Sequence, residues 1–326
     1  MKFLVTIALF LAISLNSICA QQLKFNSLGK FKVVQFTDIH YVAGAEPSKH
    51  SISMMESTLE AEKPDLVVFT GDIVVNVPTK QGWDEVLDVV IKRNIPYMVT
   101  FGNHDDEKDM RRNEVAEYVA TKKLLVNNTV KIDNVDGYLN AAVPVMGKNN
   151  QPGAIIYAMD SHAYSTNPKI KGYGWFSPNQ VDWFTKMSSS FKRPGADTLA
   201  ALAFFHIPLP EYTTAFNDTK NKRLGVRYEA ECPPAINTGM FAAMLQAGDV
   251  LGTFVGHDHV NDYLVDYYGI ALSYGCWSGS SNTYQRNKNG ARIIELTEGN
   301  RGFHTYIREF DGHILYKTDY PFPKKK

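Results

Sequence analysis

Three short apolar runs near the start of the chain each end in a polar cluster, and a helix-patterned segment follows each of the first two. "FKVVQF" (31–36) runs into Thr37-Asp38, "DLVVFTGD" (65–72) ends in Gly71-Asp72, and "IPYMVTFGNHD" (95–105) ends in Gly102-Asn103-His104-Asp105. Residues 48–62 and 82–93 lie between these runs and carry helical spacing. This β-α-β-α-β rhythm predicts a largely parallel sheet. In such sheets the side chains that do chemistry gather beyond the carboxyl ends of the strands. All three polar clusters are placed there.

The rhythm continues less regularly. A charged surface helix is predicted over 107–125, a strand over 153–161, a buried strand over 199–206 ending in His206, a helix over 236–247, and a strand over 250–259 ending "GHDH". Ser177, Pro178 and Gln180 are suited to open a helix through an N-cap, a first-turn proline and a capping box. From 263 onward short apolar runs and turns suggest antiparallel strands. With 326 residues and 44% hydrophobic content, the chain can bury a sizeable core. A two-sheet sandwich with helices outside fits this pattern better than one open sheet.

The strand-end polar groups are Asp38, His40, Asp72, Asn103, His104, His206, His257 and His259, which include five of the nine histidines. Each piece alone is weak, since a Gly-Asp often only turns the chain and a single His206 suits a core edge. Together, the oxygen donors and imidazoles make a mixed N/O ligand set. It suits zinc, manganese or iron rather than a thiolate-bound metal. Seven such ligands exceed one metal but serve two, if a carboxylate bridges them. Two-metal sites about 3.5–4 Å apart recur in phosphoester hydrolysis.

The order D-x-H, G-D, G-N-H-D, a lone His, then G-H-x-H resembles the calcineurin-like metallophosphoesterase family over roughly residues 31–270. "FTDIHY", "HIPLPEY", "ECPPAINTGMF" and "GHDHVNDY" are similar to a branch related to the purple acid phosphatases. The resemblance implies a four-layer αββα sandwich of two mixed β-sheets flanked by helices, with residues 21–326 as one domain. It implies two divalent metal ions: Asp38, His40 and His259 on the first, Asn103, His206 and His257 on the second, and Asp72 between them. His257 and His259 then serve different metals, the chain bending after Gly256. His104 faces the substrate as a catalytic acid, and Asp105 orients His104 through a hydrogen bond. Val75 stands where purple members carry an iron-binding tyrosine, so this chain is not expected to be purple. The implied activity is hydrolysis of a small-molecule phosphoester or phosphoprotein. A phosphodiesterase using the same site, and a secreted binding protein without catalysis, are the alternatives.

Lys2, the apolar stretch Phe3–Leu15 and the small residues ending at Ala20 read as a secretory signal, too short for a comfortable membrane span. The expected destination is extracellular or a lysosome-like compartment. Asn127 and Asn217 open glycosylation sequons. Cys19 falls in the signal, and an oxidising compartment permits Cys232 and Cys276 to pair. Lys+Arg and Asp+Glu both number 34, so no basic face points to nucleic acid. Tyr41, His162, Tyr212 and Asp258 neighbour the motifs; the first three read more readily as structural than as substrate-binding, and Asp258 as either a support to the ligands or a solvated group. His50, His304 and His313 lie outside every motif.

Overall fold

The computed structural model describes residues 22–324 apart from 194, 196 and 281–288. The expected signal and the last two lysines lie outside the described residues. Strand β1 (Lys30–Phe36), helix α1 (Glu46–Glu62), β2 (Leu66–Thr70), α2 (Thr79–Ile91) and β3 (Tyr97–Thr100) form the expected alternation. Next come α3 (Arg112–Ala120), β4 (Ala141–Met146), β5 (Pro152–Ala158), α4 (Pro178–Phe191) and β6 (Ala200–Phe204). Helix α5 (Glu211–Asn217), β7 (Arg223–Leu224), α6 (Met240–Ala247) and β8 (Val250–Val255) follow. The chain closes with β9 (Leu264–Tyr267), β10 (Ile270–Tyr274), β11 (Gly290–Thr297), β12 (Phe303–Glu309) and β13 (Ile314–Tyr320).

The strands form two mixed sheets. One has the order β13-β12-β11-β1-β2-β3, the other β4-β5-β6-β8-β10-β9-β7. Strands β1, β2 and β3 run parallel, as do β5, β6, β8 and β10. The near-continuous apolar runs have a simple cause: both faces of these strands are covered. Val33, Leu66, Val68 and Met98 point between the sheets, where they meet Ile156, Leu202 and Phe204. Their neighbours Val34, Val67, Phe69 and Val99 point outward onto Met54, Trp83, Leu87 and Val115 of α1, α2 and α3. Ile155, Tyr157, Ala201 and Ala203 likewise face α4, α5 and α6. Fully burying one such aliphatic side chain contributes about 1.5–3 kcal/mol. The result is the expected four-layer αββα sandwich.

Some expectations need correction. The charged helix over 107–125 shrinks to α3, because the segment before Arg112 is a loop that folds onto the strand ends. Strands β4 and β13 were not expected: β4 carries Pro144, and β13 is an edge strand with mostly polar or half-exposed positions. No disulfide joins Cys232 and Cys276; the first is exposed and the second buried. Asn127 is buried, its Nδ2 donating to the carbonyls of Val99 and Leu139 and its Oδ1 accepting from the Val99 N–H. Its sequon is therefore consumed by the fold, whereas Asn217 is exposed. The α4 start is as expected, with Gln180 Oε1 accepting the Ser177 N–H at 2.9 Å.

Polar groups also fasten the two sheets at the end where the parallel strands finish. Gln35 of β1 donates to the Val255 carbonyl of β8. Arg292 of β11, fully buried, donates to the carbonyls of Tyr274 and Asp262. Arg112 reaches from α3 to Asp160 beyond β5 through two bonds, at 2.5 and 3.1 Å, and to the Gly102 carbonyl at 2.7 Å. Burial alone would raise the Asp160 carboxyl, but the Arg112 guanidinium holds it down at about 2. Arg112→Met strands this carboxylate in a fully buried place. Removing one partner of a buried pair costs about 3–5 kcal/mol, so urea unfolding of the variant should show a loss of that order. A loss below about 1 kcal/mol would mean the pair is not a fastener.

Candidate metal centre

The candidate ligands sit at abrupt turns that end parallel strands. Asp38, His40, Asp72 and His257 all adopt left-handed backbone, with φ of 53°, 49°, 52° and 80°. Non-glycine residues rarely hold this conformation, which costs on the order of 1–3 kcal/mol each and gathers at functional sites. It lets the chain turn sharply two to four residues past its strand and bring the side chain back over the sheet end. Two glycines are required by close approach. A Cβ on Gly102 would lie 2.1 Å from Asp72 Oδ1, and one on Gly256 would lie 1.9 Å from Thr37 Oγ1 and 2.4 Å from Asp38 Oδ2.

Two ligand groups result. Asp38, His40 and His259 offer atoms within 4.8 Å of one another, and so do Asp72, His206 and His257. The groups share a border. Asp72 Oδ2 lies 3.2 Å from His206 Nε2 and 3.7 Å from His40 Nε2. Its other oxygen, Oδ1, is held by the His104 N–H at 2.8 Å, which leaves Oδ2 facing both groups. Asp38 Oδ1 lies 3.4 Å from His259 Nε2, and both Asp38 oxygens accept the His257 N–H at 3.0 Å. His257 and His259 thus fall in different groups, with the bend after Gly256 between them.

The donor atoms fit metal ions rather than a finished hydrogen-bond network. Asn103 Oδ1 and His257 Nε2 are buried with no hydrogen-bond partner, a costly state for groups with no function, and His206 Nε2 has Asp72 Oδ2 beside it at 3.2 Å. His206 Nδ1 donates to the Thr70 carbonyl at 2.7 Å, so its free lone pair is on Nε2. Asn103 Nδ2 donates to Tyr164, which turns Oδ1 the other way. Burial pushes His40 down to about 4 and His257 down to about 3, so both rings are neutral and able to ligate at neutral pH. Burial also pulls on His206, but the Asp72 and Asp38 carboxylates outweigh it and raise the ring to about 9. Against their own burial, Asp38 and Asp72 are held below the usual carboxylate range, Asp38 chiefly by His259 and Asp72 chiefly by His206.

Two expectations change. Asp105 does not touch His104. It is buried under the loops, and its two oxygens accept the N–H groups of Asp72, Ile73, Val74 and Gly102 at 2.7–3.1 Å. Burial, then the Asp72 charge, push it up to about 6. The partner of His104 is Glu107, whose Oε2 lies 2.7 Å from Nδ1. Asp258 is buried rather than solvated, and binds the Tyr274 hydroxyl and the Cys232 N–H. Tyr41 and Tyr212 are structural, bonded to Glu85 and Thr253. His162 binds Gln180. Val75 uses its N–H on the Tyr41 carbonyl.

Sequence reasoning missed Glu107, Tyr164 and Tyr173. Tyr164 donates to Glu107 Oε1 at 2.9 Å, and the Tyr173 ring stands edge-on to His257, centroids 4.3 Å apart. They lie in polar loops with no apolar run to flag them. Asp160 was findable, since it ends strand β5 by the same rule that found the ligands.

The sequence pattern of the calcineurin-like phosphoesterase family matches residues 31–261. The chain belongs to this family. It is 32% identical over 287 residues to "Probable inactive purple acid phosphatase 29" of Arabidopsis thaliana, covering 78% of this chain and 73% of the relative. It is also 32% identical to "Phosphatase DCR2" of Saccharomyces cerevisiae, over 89% of this chain and 55% of that longer protein. Among solved structures, a dimetal phosphatase from Danio rerio superposes with a TM-score of 0.61 at 13% identity, covering 89% of this chain and 98% of the other. The family, the fold and the two ligand groups together imply divalent metals.

The raised His206 value has a consequence for a calcineurin-like phosphoesterase freed of metal. A pKa raised from 6.5 to about 9 contributes stability that is fully present below 6.5 and lost as pH rises through about 9. Metal must displace that proton. Calorimetric titration of metal-free protein at pH 7 in buffers of different ionisation heat should show release of about one proton or more, falling as pH passes about 9. Proton-neutral binding at pH 7 would contradict the assignment of His206 as a ligand.

Proposed function

We propose that this family member is an active, metal-dependent phosphoesterase that hydrolyses phosphate monoesters. The observation that carries the reading is the pair of ligand groups sharing Asp72 Oδ2, with His104 beside them at the accessible edge. Asp38, His40 and His259 would hold one ion, and Asn103, His206 and His257 the other. Each position expected to ligate is filled, which supports activity in this chain even though the Arabidopsis relative is named as probably inactive.

Two divalent ions, when bound, supply Lewis acidity to the phosphoryl oxygens and lower the pKa of a nearby water. The chain's own work is positional. His104 is half-exposed, its ring 5.6 Å from that of His40. With Nδ1 held by Glu107, Nε2 is the atom free to act. As water adds to phosphorus in line with the ester oxygen, the doubly protonated His104 ring gives its Nε2 proton to that leaving oxygen, a contribution of about 10²–10⁴ in rate. Tyr164 and Tyr173 flank the second ligand group, in contact with Asn103 and His257, and bulk placed there favours a substrate with one ester arm over a diester.

Metal content paired with a panel of phosphomonoesters and phosphodiesters tests the reading. About two metal equivalents and a preference for monoesters are expected. Asp72→Asn and His259→Ala should lose metal and activity together. His104→Ala should keep its metal and lose turnover, least with nitrophenyl phosphate, whose leaving group needs no proton. A metal-empty His104→Ala would assign that residue differently.

Residues 1–20 are read as a secretory signal, so the chain works outside the cytosol. Its N-terminal pattern supports this, and the exposed Asn217 suits a glycan where the buried Asn127 does not. Protein exported from a secretory host should begin at Gln21 and lose its deglycosylation shift in Asn217→Gln. A retained signal, or a shift that depends on Asn127, would count against this reading.

A further inference from the structure

Residues 163–174 fold as a small hairpin beside the metal centre. Gly174 donates to the Ala163 carbonyl and Ser165 to the Gly172 carbonyl, both at 2.9 Å. Tyr164 and Tyr173 pair across it, with rings stacked at 5.7 Å. Each tyrosine then meets one residue of the second ligand group. Tyr173 packs edge-on against His257. The Tyr164 hydroxyl accepts from Asn103 Nδ2 at 3.2 Å and donates to Glu107 Oε1 at 2.9 Å. Glu107 Oε2 in turn lies 2.7 Å from His104 Nδ1.

We infer that Tyr164 and Glu107 are positioning residues that orient a metal ligand and the acid His104 through one shared chain of hydrogen bonds. Every donor runs in a consistent direction: the Asn103 amide N–H to the Tyr164 oxygen, the Tyr164 O–H to one Glu107 oxygen, the His104 Nδ1–H to the other. An asparagine amide presents either its oxygen or its nitrogen, depending on its partners. Here the phenol engages the nitrogen, so the oxygen turns to the metal side. An imidazole likewise has two tautomers, and a carboxylate at Nδ1 keeps one proton there, so that the second proton, the one an acid gives up, is carried on Nε2 toward the substrate. Because Glu107 joins both ends, the hairpin couples the ligand geometry to the acid. Partners of metal ligands in this outer position typically govern about 10–100-fold in affinity or activity.

The inference rests on the proposed role of His104, so its test includes two readouts that need no turnover. First, long-range ¹H–¹⁵N spectra of the metal-free protein should show His104 as the Nδ1–H tautomer in the native chain and as a mixture in Glu107→Ala. Second, Tyr164→Phe should weaken metal binding about tenfold in competition with a fluorescent chelator. In turnover, Glu107→Ala should lower kcat for alkyl phosphates about 10–100-fold, with aryl phosphates much less affected, and Glu107→Gln, which keeps an acceptor at Nδ1, should lose less than Glu107→Ala. An unchanged His104 tautomer in Glu107→Ala overturns the role of Glu107. Native metal affinity in Tyr164→Phe overturns the role of Tyr164. If both hold while His104→Ala shows no leaving-group dependence, the acid assignment fails and the positioning stands.

Discussion

Four aspartates, Asp38, Asp72, Asp105 and Asp160, lie at strand or loop ends with at most 3% of their surface exposed. Burying that much negative charge is the constraint on which the rest of this end of the molecule depends. An isolated buried carboxylate would cost many kcal/mol, so each must be compensated. Asp160 has Arg112, and Asp105 has four backbone N–H groups. Asp72 accepts one backbone N–H, Asp38 accepts one backbone N–H and the Thr37 hydroxyl, and both otherwise face histidines. Without metal the histidines supply that compensation, His206 above all, and divalent cations would take over the role when bound.

The same constraint explains the backbone. Four candidate ligands take left-handed conformations, and two glycines admit no side chain because carboxylates occupy that space. Such strain persists only where surrounding structure over-determines it. Asp105 supplies part of that restraint by drawing together the turns after β2 and β3. It was expected to hold His104. It instead holds the peptide groups that place Asp72 and Asn103, so its effect on the site passes through the backbone.

Much of this could be read from the chain order. Fully apolar runs marked the parallel strands because both faces are buried, and the residues after them were the candidate ligands because strand ends project over the sheet. Where those rules lose force, the reading lost resolution. Edge strand β13 lacks the apolar run, β4 is interrupted by Pro144, and Arg292 and Gln35 sit as polar groups within strands whose neighbours are core. The charged stretch after Gly102 looked helical by composition. Within the expected helix 107–125 the first part is a loop because Glu107 is bound to His104 and Tyr164 and Asp109 to Thr79.

The sequence by itself determined the types and order of the candidate ligands and pointed to more donors than one metal uses, since donor chemistry resides in residue identity and strand ends follow from local apolar patterning. Only the tertiary structure decided which Asp72 oxygen faces both groups, that Asp105 serves the backbone, and that Glu107 and Tyr164 stand behind His104. Tyr164 and Glu107 are 57 positions apart and meet because a hairpin after β5 folds over a loop after β3. No local pattern encodes such a meeting. It is set by how two sheets pack and by where the polar loops at their shared end can satisfy one another's hydrogen bonds.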